Sequence, residues 1–288
     1  MSLRTTTTAA LEAAGLDPDS VEALVRATVT EDLGGGVDVT SAATVPVEQR
    51  STLDLVARAA GVVAGIPVAA AVFDVVCDGD AEIEVVAADG TRVSRGDVLL
   101  TITGRTQQLL TAERSALNLL CHLSGVATAT AAWADALAGS GTRVRDTRKT
   151  TPGLRVLEKY AVRCGGGVNH RMFLSDAALV KDNHVVAAGG VAAAFDKVRA
   201  MWPGLLVEVE VDSLAQLTEV LDAGADLVLL DNFTPDQMRL AVGIAKEHAA
   251  HTGGERCLLE ASGGLTLPDA PAVATTGVDY VAVGALTH

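Results

Sequence analysis

Six basic side chains, Arg148, Lys149, His170, Arg171, Lys181 and His184, fall within a short stretch of an otherwise acidic chain. From Arg143 to Arg171 there are eight Lys/Arg (Arg143, Arg145, Arg148, Lys149, Arg155, Lys159, Arg163 and Arg171) against two acids, Asp146 and Glu158, while the net charge of the whole is -14. Two like charges about 4 Å apart cost on the order of 4 kcal/mol at an effective dielectric near 20. Cations gathered in this way call for a compact polyanion. With 3% aromatic residues and an acidic balance, the chain lacks the basic field and stacking platforms of a nucleic-acid binder, so the expected ligand is a small molecule.

Other residues bear chemistry at regular places. Short apolar strands are expected at Arg143 to Arg145, Ala178 to Lys181, Leu205 to Val211, Leu227 to Leu230, Cys257 to Leu259 and Tyr280 to Val283, with helices such as Ser213 to Ala223 and Thr234 to His248 between them. Strand and helix in alternation imply right-handed βαβ units and a parallel sheet buried on both faces. Asp146, Lys181, Glu210, Asp231, Ser262 and Gly284 then fall at or just past strand C-terminal ends, the face on which barrel enzymes carry their sites. Ser262-Gly263-Gly264 and Val283-Gly284-Ala285 follow consecutive strands and suggest a phosphate cradle, because a glycine lets backbone N–H groups come close to phosphate oxygens. Glu210 and Asp231 suit Mg²⁺ or a ribose hydroxyl pair. They could instead simply neutralise Lys149 and Lys181. Lys181 could also be a Schiff-base lysine if desolvated, and His184 could be structural.

The elements ahead of these differ. A helix is expected over Asp19 to Asp32, with Gly34-Gly35-Gly36 separating it from alternating strands at Ser51 to Arg58 and Ala81 to Val86. Asp89 to Ile102 resembles a lipoyl or biotinyl carrier hairpin but offers no lysine at a tight turn, so it reads as antiparallel sheet. From Thr111 through Gly139 the apolar period becomes 3.6, read as a long buried helical hairpin. The longest apolar run, Ala59 to Phe73, holds Gly61, Gly65 and Pro67 and falls short of the roughly 20 residues of a membrane span. Cys77, Cys121, Cys164 and Cys257 show no metal spacing and read as buried thiols of a reduced, cytoplasmic protein.

The stretches Asp146-Thr147-Arg148-Lys149-Thr150-Thr151-Pro152-Gly153-Leu154-Arg155, Lys159-Tyr160-Ala161-Val162-Arg163, Gly165-Gly166-Gly167-Val168-Asn169-His170-Arg171, Lys181-Asp182-Asn183-His184, Glu208-Val209-Glu210-Val211, Leu230-Asp231-Asn232 and Ser262-Gly263-Gly264, with Glu31-Asp32-Leu33-Gly34 and Thr111-Ala112-Glu113-Arg114 upstream, closely resemble the quinolinate phosphoribosyltransferase family. The resemblance covers nearly the whole chain. It implies an α/β protein with an N-terminal α/β open sandwich, placed at 1–117, and an open seven-stranded, TIM-like α/β barrel at 118–288. It implies transfer of phosphoribosyl from phosphoribosyl pyrophosphate to quinolinate with loss of CO₂, in NAD biosynthesis, with Mg²⁺; a related transferase for another acidic base is the alternative.

Carried over by residue, Arg114, Arg148, His170, Arg171 and Lys181 would hold the two carboxylates, with Thr147 nearby. Lys149 would serve the pyrophosphate or ribose side, Glu210 and Asp231 the ribose hydroxyls and Mg²⁺. Ser262, Gly263, Gly264, Val283, Gly284 and Ala285 would serve the 5′-phosphate, and His288 matches a site-facing position. Arg114 would reach in from a neighbouring subunit, which implies a homodimer and leaves hexamers open; no nucleic acid or membrane partner is implied. Phe173 stands where the family usually has a small or polar residue, so it could reshape the carboxylate pocket. The sequence stops at His288, where the family normally continues into a short tail.

Overall fold

A computed structural model of the chain describes residues 3–288. It divides into two compact units, one of Met1–Ala131 with Val156–Gly166, the other of Ala132–Arg155 with Gly167–His288.

The first unit holds helices α1 (Thr5–Ala13), α2 (Pro18–Leu33) and α3 (Val39–Thr44), strands β1 (Arg50–Val56) and β2 (Gly61–Val62), helix α4 (Ile66–Cys77), and strands β3 (Glu82–Val85), β4 (Arg92–Val93) and β5 (Val98–Arg105). Helix α2 starts where sequence chemistry says it should: Asp17 accepts from the Ser20 N–H and Pro18 occupies the first turn. The strands form an antiparallel sheet in the order β1-β5-β3, while β4 pairs with β2 rather than with β5. Nearly every residue of α4 is buried, so it fills the core. Its N-terminal N–H groups, on Gly65 and Ile66, donate to the Asp89 carboxylate, which also accepts from the Tyr160 hydroxyl at 2.5 Å.

The expected helical hairpin is instead one helix, α5 (Thr106–Ala136), 31 residues long. A lone glycine, Gly125, and no proline interrupt it, and nothing in the sequence reverses the chain until Gly139 and Gly141, both at positive φ. The three-glycine run ends α2 through a left-handed Gly34, but α3 intervenes before the first strand. Cys77 and Cys257 are buried as expected, whereas Cys121 is exposed and Cys164 half-buried.

The second unit contains β6 (Arg143–Arg145), then, after the chain has contributed α6 (Arg155–Cys164) largely to the first unit, β7 (Ala178–Val180), α7 (Asp182–Ala188), α8 (Val191–Met201), β8 (Val207–Val211), α9 (Leu214–Asp222), β9 (Leu227–Asp231), α10 (Pro235–Thr252), β10 (Leu258–Ser262), α11 (Ala270–Ala274) and β11 (Tyr280–Ala282). The six strands form one parallel sheet in the order β6-β11-β10-β9-β8-β7. A seventh position is a single parallel bridge from Val168 to Arg145, which puts Val168 outside β6. The sheet therefore runs from Val168 round to β7, and among the described residues no ladder joins those two ends. This is the open α/β barrel. Strand β10 is longer than its apolar run suggests, because Glu260 lies within it, fully buried.

Candidate active site

The strand C-termini set the site. Asp146 directly follows β6, Lys181 follows β7, Glu210 lies one residue before the end of β8, Asp231 and Ser262 end β9 and β10, and Gly284 is two past β11. A cavity of about 700 Å³ opens there, lined by Thr147, Arg148, Lys149, His170, Arg171, Lys181, Glu210, Asp231, Ser262, Gly263, Gly264, Gly284, Ala285 and His288. Of the residues singled out from the sequence, Asp146, Phe173, His184, Val283 and Arg114 are not in that lining. Val283 is buried and donates its N–H to the Arg145 carbonyl; the sequence could not tell it from its glycine neighbour. Arg114 is exposed on α5.

On the cationic side, the Arg171 guanidinium donates through Nη1 to the Ala177 carbonyl at 2.8 Å. Its Nε, like that of Arg148, is buried without a hydrogen-bond partner. Burial, and then the nearby Arg148 charge, lower the Arg171 pKa from its ordinary value. Two guanidiniums with donors to spare line one cavity, an arrangement suited to an anion that carries more than one acceptor group. Lys149 is exposed and lies over Gly284: a Cβ on that glycine would come within 3.1 Å of Lys149 Cδ and 3.6 Å of its Nζ. Its backbone is fixed by donation to the Thr147 hydroxyl and by acceptance from the Thr287 hydroxyl.

Lys181 Nζ lies 2.8 Å from Glu210 Oε2, with about half of the lysine side chain exposed. A hydrated, paired ammonium is not the desolvated amine that Schiff-base chemistry needs, so the Schiff-base reading of Lys181 is set aside. Asp231 Oδ2 accepts from Asn232 Nδ2 at 2.8 Å. Asn232 has φ +57, and Gly263 packs so tightly on it that an added Cβ would sit 2.7 Å from its backbone N. Among the described residues, the second oxygens of Glu210 and Asp231 carry no hydrogen bond, and two such carboxylates lining one cavity fit a hard, oxygen-seeking cation.

The eight-cation cluster does not survive folding as one site. Arg148, Lys149 and Arg171 line the cavity, joined by Lys181. Arg145 is buried, 2.6 Å from Glu260 and stacked on Tyr280; Lys159 is buried in the first unit, and Arg163 donates there to the Ala14 carbonyl. Arg143 is exposed at the start of β6, and Arg155 is occupied by Thr150 and the Met172 carbonyl. Local charge counts miss this because strand and helix periodicity sends neighbouring residues to different faces. Phe173 is 52% exposed and outside the cavity lining. His184 accepts the Lys181 N–H through Nδ1, a cap on α7.

His170 lines the cavity, yet both ring nitrogens have protein partners: Nε2 lies 2.6 Å from Glu208 Oε2 and Nδ1 accepts the Arg171 N–H at 2.7 Å. In this arrangement the ring has no donor left for a substrate carboxylate. His170, Glu208 and Glu260 together offer metal-ligand types, but 2.6 Å is a hydrogen-bond separation, too short for two ligands that each stand about 2 Å from a tetrahedral ion. Leu179, Leu229, Glu260, Leu265, Thr266 and Ala282 complete the cavity. Sequence reasoning missed them; period-2 register with Glu210 and Asp231 would have found Leu229, which pairs directly with Glu210.

Comparison with known proteins decides the family. Residues 38–124 match the N-terminal domain model, and 126–288 the C-terminal domain model, of quinolinate phosphoribosyl transferase. The chain belongs to the quinolinate phosphoribosyltransferase family. Within it, the chain is 51% identical over 271 residues to a nicotinate-nucleotide pyrophosphorylase [carboxylating] of Mycobacterium leprae, covering 94% of both. A probable nicotinate-nucleotide pyrophosphorylase [carboxylating] of Bacillus subtilis is 40% identical, over 90% of this chain and 86% of the other. Among solved structures, NadC from Streptococcus pyogenes superposes with a TM-score of 0.88 at 39% identity, covering 95% of this chain and 93% of that one. Among the described residues no helix is long and apolar enough to cross a membrane.

Proposed function

We propose that this quinolinate phosphoribosyltransferase family member transfers the phosphoribosyl group of phosphoribosyl pyrophosphate to quinolinate, releasing pyrophosphate and CO₂ and forming nicotinate mononucleotide for NAD biosynthesis. The observation that carries the acceptor is the pair Arg148 and Arg171, each with a buried, unpartnered Nε, lining one cavity. A dicarboxylate satisfies both.

Arg148, Arg171 and Lys181 hold the two carboxylates, with Thr147 beside them. Ser262, Gly263, Gly264, Gly284 and Ala285 cradle the 5′-phosphate on backbone N–H groups, with Val283 and His288 flanking. Glu210 and Asp231 hold the ribose hydroxyls and would hold Mg²⁺, which when bound would supply positive charge to stabilise the pyrophosphate leaving group. The pyridine nitrogen attacks the anomeric carbon as the C–O bond to pyrophosphate breaks, so the protein's task is to orient two anions and stabilise leaving-group charge. Lys149, poised over Gly284, supplies the compensating positive charge. The ring nitrogen is then cationic, and it stabilises the electron pair left on the adjacent carbon as CO₂ departs and a proton is taken up. Arg114, exposed on α5, completes the carboxylate site of a neighbouring subunit in a cytoplasmic homodimer. Mass spectrometry of the product tests this: nicotinate mononucleotide from quinolinate supports it, and a nucleotide formed only from some other acidic base overturns it.

A further inference from the structure

Strand β8 carries two glutamates on one face, Glu208 and Glu210, two residues apart. Glu210 opens onto the large cavity. Glu208 does not; it is 2% exposed and borders a smaller cavity of about 330 Å³ that shares His170 and Arg171 with the first. A buried carboxylate is costly unless it is well paired, so its presence needs a reason. A hydrogen bond to Arg145 is not that reason: Arg145 Nη1 already has Glu260 at 2.6 Å, and Glu208 stands off at 3.9 Å.

What Glu208 does hold is His170. Its Oε2 lies 2.6 Å from the ring Nε2. Because Nδ1 accepts the Arg171 N–H at 2.7 Å, the ring proton sits on Nε2 and is donated to Glu208. The His170 N–H in turn donates to Asp146 at 2.8 Å. The backbone at 170 and 171 is thereby clamped twice, from the end of β6 by Asp146 and from β8 by Glu208 acting through the imidazole. Arg171 leaves this clamp with Nη1 on the Ala177 carbonyl and Nε unpartnered.

We infer that Glu208 is a positioning residue for recognition of the acceptor's carboxylates: through His170 it fixes the backbone of Arg171 and so aims that guanidinium into the substrate cavity. The inference rests on the quinolinate reading of the same cavity. It separates the two glutamates of β8, Glu210 facing the donor sugar and Glu208 serving the acceptor without touching it.

The test is steady-state kinetics of Glu208→Met and Glu208→Gln beside the unsubstituted chain. Methionine matches glutamate in length but offers no strong acceptor to His170, whereas glutamine keeps one. Glu208→Met should raise the KM for quinolinate by about ten- to hundred-fold, the size expected for losing a charge-assisted hydrogen bond, with the KM for phosphoribosyl pyrophosphate changed by less than about twofold; Glu208→Gln should recover most of the loss. Should the methionine variant fail to fold, Glu208→Asp, which draws the carboxylate back by one methylene, must show the same selective rise at smaller amplitude. An unchanged quinolinate KM, or an equal rise in both KM values, overturns the inference while leaving the transferase reading intact. An unsubstituted chain inactive on quinolinate removes both.

Discussion

Lys181 Nζ and Glu210 Oε2 stand 2.8 Å apart at the mouth of the cavity, one at the end of β7 and the other on β8. The group assigned to the acceptor and the group assigned to the donor sugar thus pair with each other. The lysine side chain is half exposed, and such pairs contribute only about 0–1 kcal/mol to stability. Lys181→Ala should therefore barely move the denaturation midpoint while raising the KM for quinolinate roughly ten-fold or more, as expected when a charge-assisted contact is lost. A large stability loss with unchanged KM would make Lys181 a structural ion-pair partner only.

Lys149 should behave differently, because it sits over the candidate phosphate loop at Gly284 rather than among the guanidiniums. Lys149→Ala is expected to lower kcat by about 10² or more, the usual loss when a preorganised charge is removed from a transition state, with a smaller effect on quinolinate binding. Equal losses in kcat and in quinolinate affinity would reduce it to a docking residue.

The two glycines after Ser262 differ in what they tolerate. Gly264 has φ +62 with open space around a would-be Cβ, so Gly264→Ala should cost about 1–2 kcal/mol from backbone strain alone. Gly263 has φ +106, and an added Cβ would lie 2.7 Å from Asn232 N and 2.8 Å from its Cα. Overpacking of about 1–3 kcal/mol adds to the strain there. Urea titration of the two variants should rank Gly263→Ala clearly below Gly264→Ala; the reverse order would contradict the close approach of β9 and β10 at this point.

Burial, followed by the neighbouring Glu208 charge, pushes the Glu260 carboxyl from 4.5 up to about 8. The folded chain then binds a proton that the unfolded chain releases, so between about pH 4.5 and pH 8 this group makes stability fall as pH rises. Glu260→Gln removes the effect. Unfolding midpoints measured across that range should decline less steeply for the glutamine variant, whatever its absolute stability; parallel slopes would show that Glu260 is ionised throughout.

Much of this was legible in the sequence for a physical reason. Apolar runs ending in Lys181, Glu210, Asp231 and Ser262 fix both the parallel strands and the rim residues, because a strand buried on both faces cannot easily carry a polar group except at its end. The same rule hid Glu260 and Glu208, which break it inside β10 and β8 and are compensated by Arg145 and His170 from β6 and the segment after Val168. No local pattern announces such a pairing across 115 residues of chain. The single helix α5 was likewise missed, since periodicity reports a helical face but not whether an alanine-rich run turns back. Arg114 is identified by resemblance alone, and the role proposed for it needs a second subunit, which no pattern within one chain can announce.

The most direct test of the central claim is release of pyrophosphate and CO₂ from phosphoribosyl pyrophosphate with Mg²⁺, with quinolinate and nicotinate compared as acceptors. The arrangement of Arg148 and Arg171 predicts equal amounts of both products with quinolinate and little pyrophosphate with nicotinate. Pyrophosphate without CO₂, or a preference for the monocarboxylate, would contradict it.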